Sequence, residues 1–292
     1  MYLALDIGGT NIQFAILNND DQILKHWEIK TPIVSSSNEF YDRLFEAIPA
    51  HSFKGIGIAV PGVVNDQGYI TSKASPRLYP LYQSNIVKAF SHHFHCPTSA
   101  LNDAKAAGLC ELRKGAAMNC SSSVSYLIGT GVGGALSTAD SILFGNDGYA
   151  GEFSYMPVQY QGKYYSLGMI GSANGLLYLY KQISHQPIGN AKEVFEKFYA
   201  NDNHALQAVE DWLNITADSL WHITAIFNPE VILIGGGISE DDRIIDLIRE
   251  KYQQKQKPYD AFTNFTTRID RCMFKNKANL LGALIHHKQK NG

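Results

Sequence analysis

Three glycine-rich turns in the sequence can wrap a phosphate group. Glycine has no Cβ, so consecutive backbone amides can approach an anion and form a concave site for it. One glycine turn between strands is usually only a turn, but three of them, each after an apolar run, together predict a polyphosphate site. No turn ends in Gly-Lys followed by Ser or Thr, so none is a Walker loop. The turns are Gly8-Gly9-Thr10-Asn11, Gly129-Thr130-Gly131-Val132-Gly133-Gly134 and Gly235-Gly236-Gly237.

Two carboxylates at predicted strand ends can take part in the chemistry of a phosphate site. Asp6 ends the first apolar run, where a carboxylate can hold Mg²⁺ directly or through water; a strand-ending turn cap is the alternative. Asp103 lies at a strand-to-helix junction, where Asp is a good N-cap. It can equally be the general base that takes the proton of an attacking hydroxyl in phosphoryl transfer to an alcohol. The residue types leave both interpretations open.

The elements that must position these residues follow the order of a layered α/β protein. Apolar patterns predict strands at 2–7, 11–17, 22–29, 55–60, 98–101, 123–128, 133–137 and 231–234. They predict helices at 38–47, from 103 to about 113, from 206 to 227, and from about Ser239, whose hydroxyl can cap the last one.

Both halves of the chain open with a strand, a glycine turn and a returning strand. This repetition predicts an α/β fold with mixed sheets and an internal duplication, as two related domains that face each other across a cleft. The nearest thing to a junction is Asn119-Cys120-Ser121-Ser122-Ser123. We therefore predict an N-terminal domain of residues 1–118 and a larger C-terminal domain of residues 119–276.

The composition is that of an ordinary globular protein. The chain has 292 residues, of which 45% are hydrophobic and 18% charged, and its formal net charge is −2. This charge provides no broad basic surface, so nucleic acid is not an expected partner. No apolar run reaches the roughly 18 residues of a membrane span, and the N-terminus lacks the features of a signal peptide. We expect a cytoplasmic protein without membrane partners.

Neither the cysteines nor the histidines predict a metal site. The four cysteines have no Cys-x-x-Cys spacing, which favours buried thiols over disulfides or a thiolate zinc site. The group His92, His93 and His95 ends an amphipathic stretch without a nearby carboxylate or Cys. A solvated helix end is therefore expected there.

Seven short segments, in this order, resemble the ROK family of bacterial sugar kinases and sugar-responsive repressors, over essentially the whole chain. The segments are Leu5-Asp6-Ile7-Gly8-Gly9-Thr10, Pro61-Gly62, Leu101-Asn102-Asp103-Ala104, Ile128-Gly129-Thr130-Gly131-Val132-Gly133-Gly134, Ala150-Gly151-Glu152, Ile234-Gly235-Gly236-Gly237 and Asn279-Leu280-Leu281-Gly282-Ala283.

The resemblance implies the duplicated actin-like, hexokinase-like fold related to ribonuclease H, with a last helix, about 277–289, that returns to the N-terminal domain. It implies that Asp103 is the catalytic base, with Asn102 beside it on the sugar and Glu152 as a ligand of a sugar hydroxyl. Pro61 and Gly62 are expected near the sugar. The turns at 8–10, followed by Asn11 as a further cofactor-binding residue, and at 129–134 correspond to phosphate loops, and the turn at 235–237 lies by the nucleoside. ATP and Mg²⁺ are the implied cofactors, with Asp6 as the metal ligand.

The sequence departs from the family pattern at its zinc site. Most members have a histidine three residues after the glutamate and a cysteine cluster beyond it, but here Tyr155 takes the histidine position and the segment 163–168 has no cysteine. No structural zinc site is therefore expected. This zinc-less pattern resembles the β-glucoside kinase branch. Tyr155, Tyr164 and Tyr165 can stack on a second sugar, or they can simply pack in the core in place of zinc.

The resemblance implies an ATP-dependent sugar kinase that phosphorylates the 6-hydroxyl of the glucosyl unit of a β-glucoside such as cellobiose. An N-acetylmannosamine or glucose kinase is the alternative enzyme, because members with those activities share every nucleotide motif. A sugar-sensing transcriptional regulator is the alternative of another class. Repressors of the family carry an additional N-terminal helix-turn-helix domain, whereas the first kinase-like strand here begins at Tyr2. The resemblance also suggests a homodimer.

Overall fold

The computed structural model of the chain describes residues 1–275 and 277–291. These fold into two compact units. The first contains Met1–Arg113, Ile142–Ala150 and the described residues 277–291, and the second contains Lys114–Ser141 and Gly151–Lys275. The segment Ile142–Ala150 thus belongs to the first unit, although it lies within residues 119–276, which were predicted to form the C-terminal domain.

The predicted strands occur in the predicted order, together with four strands that the apolar patterns did not predict: Ile142–Leu143, Pro157–Tyr160, Lys163–Ser166 and Arg268–Arg271. The strands are β1 (Tyr2–Ile7), β2 (Asn11–Leu17), β3 (Ile23–Lys30), β4 (Ile56–Val60), β5 (Thr98–Asn102), β6 (Ser122–Ile128), β7 (Val132–Thr138), β8 (Ile142–Leu143), β9 (Pro157–Tyr160), β10 (Lys163–Ser166), β11 (Val231–Gly235) and β12 (Arg268–Arg271). The helices are α1 (Ser37–Ala47), α2 (Ile86–Phe94), α3 (Asp103–Lys114), α4 (Leu167–Ile170), α5 (Ala173–Ser184), α6 (Ala191–Tyr199), α7 (Asn203–Phe227), α8 (Asp242–Gln256) and α9 (Ala278–Asn291).

The two large sheets repeat one topology. The first has the order β3-β2-β1-β4-β5, in which β1, β4 and β5 are parallel and β2 is antiparallel to both of its neighbours. The second has the order β12-β11-β6-β7-β8, in which β6, β11 and β12 are parallel and β7 is antiparallel to β6. The predicted α/β class, mixed sheets and internal duplication are confirmed.

The last helix fixes one face of the first sheet. Helix α9 packs on β1, β4 and β5, and Ala283 joins Ala59, Leu101 and Ala106 in a small buried cluster. The backbones approach closely there, because a Cβ on Gly282 would overlap the carbonyl of Ala106. This packing holds the first turn of α9 near the end of β1.

The start of α8 differs from the expectation for Ser239. Ser239 lies in a 3₁₀ turn over Gly237–Glu240, where its hydroxyl donates to the Gly236 carbonyl at 2.8 Å. Helix α8 begins at Asp242 and is capped by Asp241, whose carboxylate accepts the Arg243 backbone N–H. The expected cap was wrong because a tight turn intervenes between the glycines and the helix. None of the described helices combines the length and apolarity that a membrane crossing requires.

Candidate active site

Three parallel strands of the first sheet end side by side, and each end carries predicted site residues. Asp6 of β1 pairs in register with Ala59 of β4, and Val60 of β4 pairs with Asn102 of β5. Pro61 and Gly62 follow β4 directly and Asp103 follows β5. Since parallel strands end at the same edge of a sheet, the fold brings these residues together within the first unit.

The first helix turn of α3 separates the roles of two neighbouring polar residues. Asn102 accepts the Lys105 backbone N–H at 3.0 Å, the bond of an N-cap. Its amide also donates to the Gly62 carbonyl at 3.1 Å, and the residue is only 5% exposed. Asp103 is half-buried, and its carboxylate accepts the N–H of the adjacent Ala104 at 2.8 Å. The capping group of α3 is therefore Asn102, and the interpretation of Asp103 as the N-cap was wrong.

The carboxylate of Asp6 lies in an electrostatic environment set by two other residues. Burial, and to a smaller extent the negative charge of Asp103, raise its pKa from the ordinary 3.8 to about 7, and a hydrogen bond from Asn279 opposes the rise. That bond runs from the Asn279 amide to the Asp6 carboxylate at 3.1 Å. Two carboxylates close enough to repel each other form an arrangement that a cation would stabilise.

Asn279 is a site residue for which no role was predicted, although it begins one of the seven family-like segments. The contact could not be predicted from the sequence, because Asn279 lies 273 positions from Asp6. Only the packing of α9 on β1 brings the two side chains together.

The first glycine turn is held by side chains from distant parts of the chain. The Gly8 N–H donates to the Asn11 carbonyl at 3.0 Å, and the Thr31 hydroxyl donates to the Gly8 carbonyl at 2.6 Å. The Ser75 hydroxyl lies so close to Gly9 that an added Cβ would be 2.7 Å away from it. Thr10 is exposed. Thr31 and Ser75 were not predicted from the sequence, because no local pattern marks either residue.

Gly62 is held by a serine in the same way. Its φ of +93° lies in the left-handed region, and a Cβ there would meet the Ser72 hydroxyl at 2.9 Å. That hydroxyl accepts the Val63 N–H at 2.8 Å. Serines 72 and 75 therefore flank the Gly62 and Gly9 turns within the first unit.

The second glycine turn leaves space where a ligand could lie. A Cβ on Gly129 would meet no atom within 4 Å, and one on Gly131 would meet only the Ser154 hydroxyl at 3.4 Å. The conformation of the turn is fixed by a hydrogen bond from the Gly129 N–H to the Gly131 carbonyl at 2.9 Å. Thr130, between them, is exposed. Packing does not require glycine at 129, which favours the interpretation of this turn as a phosphate cradle.

The remaining glycines of this region have structural roles. A Cβ on Gly134 would overlap the Phe153 ring and the Ser125 carbonyl, and Gly133 pairs with Leu127 in the β6–β7 ladder. Packing therefore accounts for glycine at 134, whereas at 129 and 131 an added Cβ would meet little or nothing.

The third glycine turn combines a packed part and an open part. Gly235 is buried, and a Cβ there would overlap Leu127 and Cys272. Gly236 has a φ of +83°, and a Cβ there would overlap the Ile128 carbonyl. Gly237 is exposed, and a Cβ there would meet nothing. Since β6 and β11 are parallel neighbours, the second and third turns lie at the same edge of the second sheet.

Glu152 is anchored near the second turn. Gly151 has a φ of +81° and lies against the Gly134 carbonyl, and Glu152 is half-buried just after it. The Ser154 hydroxyl accepts the Val132 N–H at 3.1 Å and so ties this segment to β7. The second unit thus brings together Glu152 and the turns at 129–131 and 235–237, as the first unit does for Asp6, Gly62, Asn102 and Asp103.

The tyrosines in the position of the family's zinc loop do not pack in the core as a group. Tyr155 is 63% exposed and Tyr164 is 76% exposed. Tyr164 lies on the hairpin of β9 and β10, opposite Gln159. Tyr165 is half-buried, with its ring 6.4 Å from that of Tyr160. Core packing therefore accounts for Tyr165 and not for Tyr155 or Tyr164. Within the described part of the chain, no three His, Cys, Asp or Glu side chains cluster as a metal site would require.

The repeated sheets and their strand-end turns define a class, the α/β proteins of the actin-like, hexokinase-like fold. The crystal structure of a ROK family protein from Streptococcus pneumoniae TIGR4 in complex with sucrose has a TM-score of 0.86 to this chain at 27% identity, and covers 99% of this chain and 98% of that one. The profile of the ROK family matches residues 2–290. The chain belongs to the ROK family.

Named relatives resemble the chain over most of its length. The β-glucoside kinase of Klebsiella pneumoniae is 27% identical over 298 residues, which cover 98% of this chain and 95% of that protein. The glucokinase of Halalkalibacterium halodurans is 27% identical over 290 residues, which cover 88% and 86% of the two chains.

Proposed function

We propose that this chain is an ATP-dependent sugar kinase in which Asp103 is the general base. One observation carries the proposal: Asn102 and not Asp103 caps α3. A carboxylate at the end of a parallel strand, half-exposed and not used as the cap, is suited to take a proton from a bound hydroxyl. The names of the kinases from K. pneumoniae and H. halodurans support the same reaction.

The residues divide the work of phosphoryl transfer between them. Asp103 accepts the proton as the sugar hydroxyl attacks the γ-phosphate. Backbone amides of the turns at 8–10 and 129–131 bind the phosphates, and the turn at 235–237 lies by the nucleoside. Asp6 is the residue that would hold Mg²⁺, directly or through water, and the ion would neutralise charge on the phosphates.

Two residues besides the catalytic base are proposed to contact the sugar, Asn102 and Glu152. Glu152 binds a sugar hydroxyl. Asn102 has both ends of its amide engaged, by Lys105 and by Gly62, so its first role is to hold the 61–62 turn and the start of α3 in place. The Asn102 Nδ2 has a second hydrogen, with which it can donate to the sugar while it keeps its bond to the Gly62 carbonyl.

The acceptor that we propose is the 6-hydroxyl of the glucosyl unit of a β-glucoside such as cellobiose. The K. pneumoniae relative is named for that substrate class. The exposed rings of Tyr155 and Tyr164 support it further, because an aromatic face stacks well on a pyranose. A monosaccharide kinase has no second sugar for such rings to contact.

A substrate panel tests the proposal. Purified protein with ATP and Mg²⁺ is offered cellobiose, glucose and N-acetylmannosamine, ADP release is measured, and the product is examined for a phosphate on the 6-hydroxyl of the glucosyl unit. Turnover of cellobiose above that of both monosaccharides is expected. No turnover of any β-glucoside would overturn the acceptor, and no turnover of any sugar would overturn the kinase.

A glucose kinase is the second candidate, and the named glucokinase relative favours it. The same panel decides between the two, because a glucokinase turns over glucose better than cellobiose. Assembly as a homodimer and a cytoplasmic location stay predictions.

A further inference from the structure

Arg243, which follows the third glycine turn in the sequence, stacks on the ring of Tyr199. The guanidinium carbon of Arg243 lies 3.9 Å from the ring centroid of Tyr199, so the guanidinium lies against the face of the ring. The other cation–π pairs of the described residues are lysines at 4.9 Å or more from their rings. Arginine differs from lysine because its guanidinium is planar and can stack on both of its faces.

The orientation of that guanidinium is fixed by a carboxylate. Asp241 accepts two hydrogen bonds from it, from Nε at 3.0 Å and from a terminal nitrogen at 2.7 Å. The same carboxylate accepts the Arg243 backbone N–H at 3.0 Å, so it holds the side chain and caps α8 together. A bidentate carboxylate prevents the guanidinium from rotating off the ring.

One face of the guanidinium remains open. The Arg243 side chain is 66% exposed although one of its faces lies against Tyr199 and one of its edges against Asp241. A surface ion pair needs only the edge contact with Asp241. The additional support by Tyr199 keeps a flat cationic surface facing solvent, which suits a flat, electron-rich partner.

The position of this surface indicates which partner it fits. Asp241 follows directly on the 3₁₀ turn Gly237–Glu240, which begins at the open glycine of the third turn. Tyr199 is the last residue of α6, so the stack joins the end of that helix to the start of α8. If the phosphates of a nucleotide bind the glycine turns of the second unit, its base can reach the surface formed by the end of α6 and the start of α8.

We propose that Arg243, supported by Tyr199 and oriented by Asp241, is the platform on which the purine base of the nucleotide stacks. This inference rests on the proposed function, because it assumes that a nucleotide binds at the glycine turns. It predicts that Arg243 contributes to the binding of the base and not to the binding of the phosphates.

Three variants and two ligands test the platform. Arg243→Ala removes the surface, Arg243→Lys keeps the charge without the plane, and Lys192→Ala removes an exposed cation from α6 as the matched control. Affinity for ADP is measured by calorimetry, and inorganic triphosphate is measured as a competitor of ATP because it has phosphates and no base. Circular dichroism checks that each variant is folded.

The expected result is a loss of about tenfold in ADP affinity for both Arg243 variants, the size of a lost stacking contact. Competition by triphosphate should stay within twofold for both, and the control should match the wild type. Full affinity in Arg243→Lys would show that charge alone matters and would overturn the platform. An equal loss for ADP and for triphosphate would overturn it too, because the contact would then be to phosphate.

The calorimetry separates the two proposals. If the wild type phosphorylates a sugar and Arg243→Ala keeps its ADP affinity, the platform is wrong and the kinase stands. If the wild type binds ADP but phosphorylates no sugar, the kinase is wrong, and a loss of ADP affinity in Arg243→Ala still supports the platform. If the wild type binds no ADP, both are wrong.

Discussion

The Asn279 amide donates a 3.1 Å hydrogen bond to the Asp6 carboxylate and so connects the start of the last helix to the end of the first strand. The bond stabilises the charged form of a carboxylate whose pKa is raised by burial and by Asp103. Burial and the charge of Asp103 thus bring the pKa of this carboxylate to about 7, and the Asn279 bond limits the rise.

Removal of that neighbour should shift the pH dependence of activity. The hydrogen bond from Asn279 lowers the pKa of Asp6, which is about 7 with that bond in place. Asn279→Ala should therefore raise the pKa of Asp6 further. If Asp6 acts as an anion, the acid limb of the kcat/KM profile moves to higher pH, and activity at pH 6 falls more than activity at pH 8.5. Profiles at saturating Mg²⁺ check this, and an unshifted acid limb would show that Asp6 does not need its charge.

Asp6→Asn should stabilise the fold while it removes activity. The pKa of Asp6 is about 7 in the folded protein against an ordinary 3.8, so the folded state binds more protons between these values. Stability therefore falls as the pH rises from 3.8 to 7 and stays reduced above that. The variant avoids this loss and should gain about 2–4 kcal/mol at pH 8 but nothing at pH 3. Urea unfolding at both pH values measures it, and equal stability at pH 8 would contradict the raised pKa.

Substitution of Asp103 should impair catalysis, whereas substitution of Asn102 should reduce stability. Asp103→Asn removes the base but not the cap, so turnover should fall by roughly 10²–10⁴-fold. Stability should not fall, because the substitution also removes the repulsion between Asp103 and Asp6. Asn102→Ala removes the cap and should cost about 1 kcal/mol or more, because the Gly62 carbonyl also loses its donor. Steady-state kinetics and urea unfolding of the pair measure both effects. Near-normal turnover in Asp103→Asn would refute its role as base.

The open glycine of the second turn offers a test of the phosphate cradle. Gly129→Ala adds a Cβ into empty space, so the protein should fold normally while the KM for ATP rises by about tenfold or more, since the methyl group occupies the place of a phosphate. Gly134→Ala is the comparison, because its Cβ would overlap the Phe153 ring and should destabilise the fold by about 1–3 kcal/mol. An unchanged KM in Gly129→Ala would remove this turn from the site.

Tyr155 offers a test of the second sugar. Its ring is exposed, so Tyr155→Ala should leave stability within about 0.5 kcal/mol of the wild type. If the ring stacks on the outer sugar of a disaccharide, the KM for cellobiose should rise by about three- to tenfold and the KM for glucose should not change. Initial-rate measurements with both sugars decide it. An equal rise for both would place the ring against the phosphorylated unit.

The sequence by itself determined the parts that depend on local pattern. Apolar runs and the glycine turns after them predicted all five strands of the first sheet and β6, β7 and β11 of the second, but not β8 or β12. The repetition of the strand–turn–strand unit predicted the duplication. The same local reading located the carboxylates at the ends of β1 and β5, because a polar residue that follows a buried strand reaches the sheet edge wherever the strand lies.

Only the tertiary structure decided which residues share the work at those edges. The assignment of the cap to Asn102, the contact of Asn279 with Asp6 and the approach of Ser75 to Gly9 all depend on how distant segments pack. Such contacts leave no periodic trace in the chain, because they are set by the placement of whole helices and loops and not by the residues beside them. For the same reason, the exposure of Tyr155 and the support of Arg243 by Tyr199 could be seen only in the folded molecule.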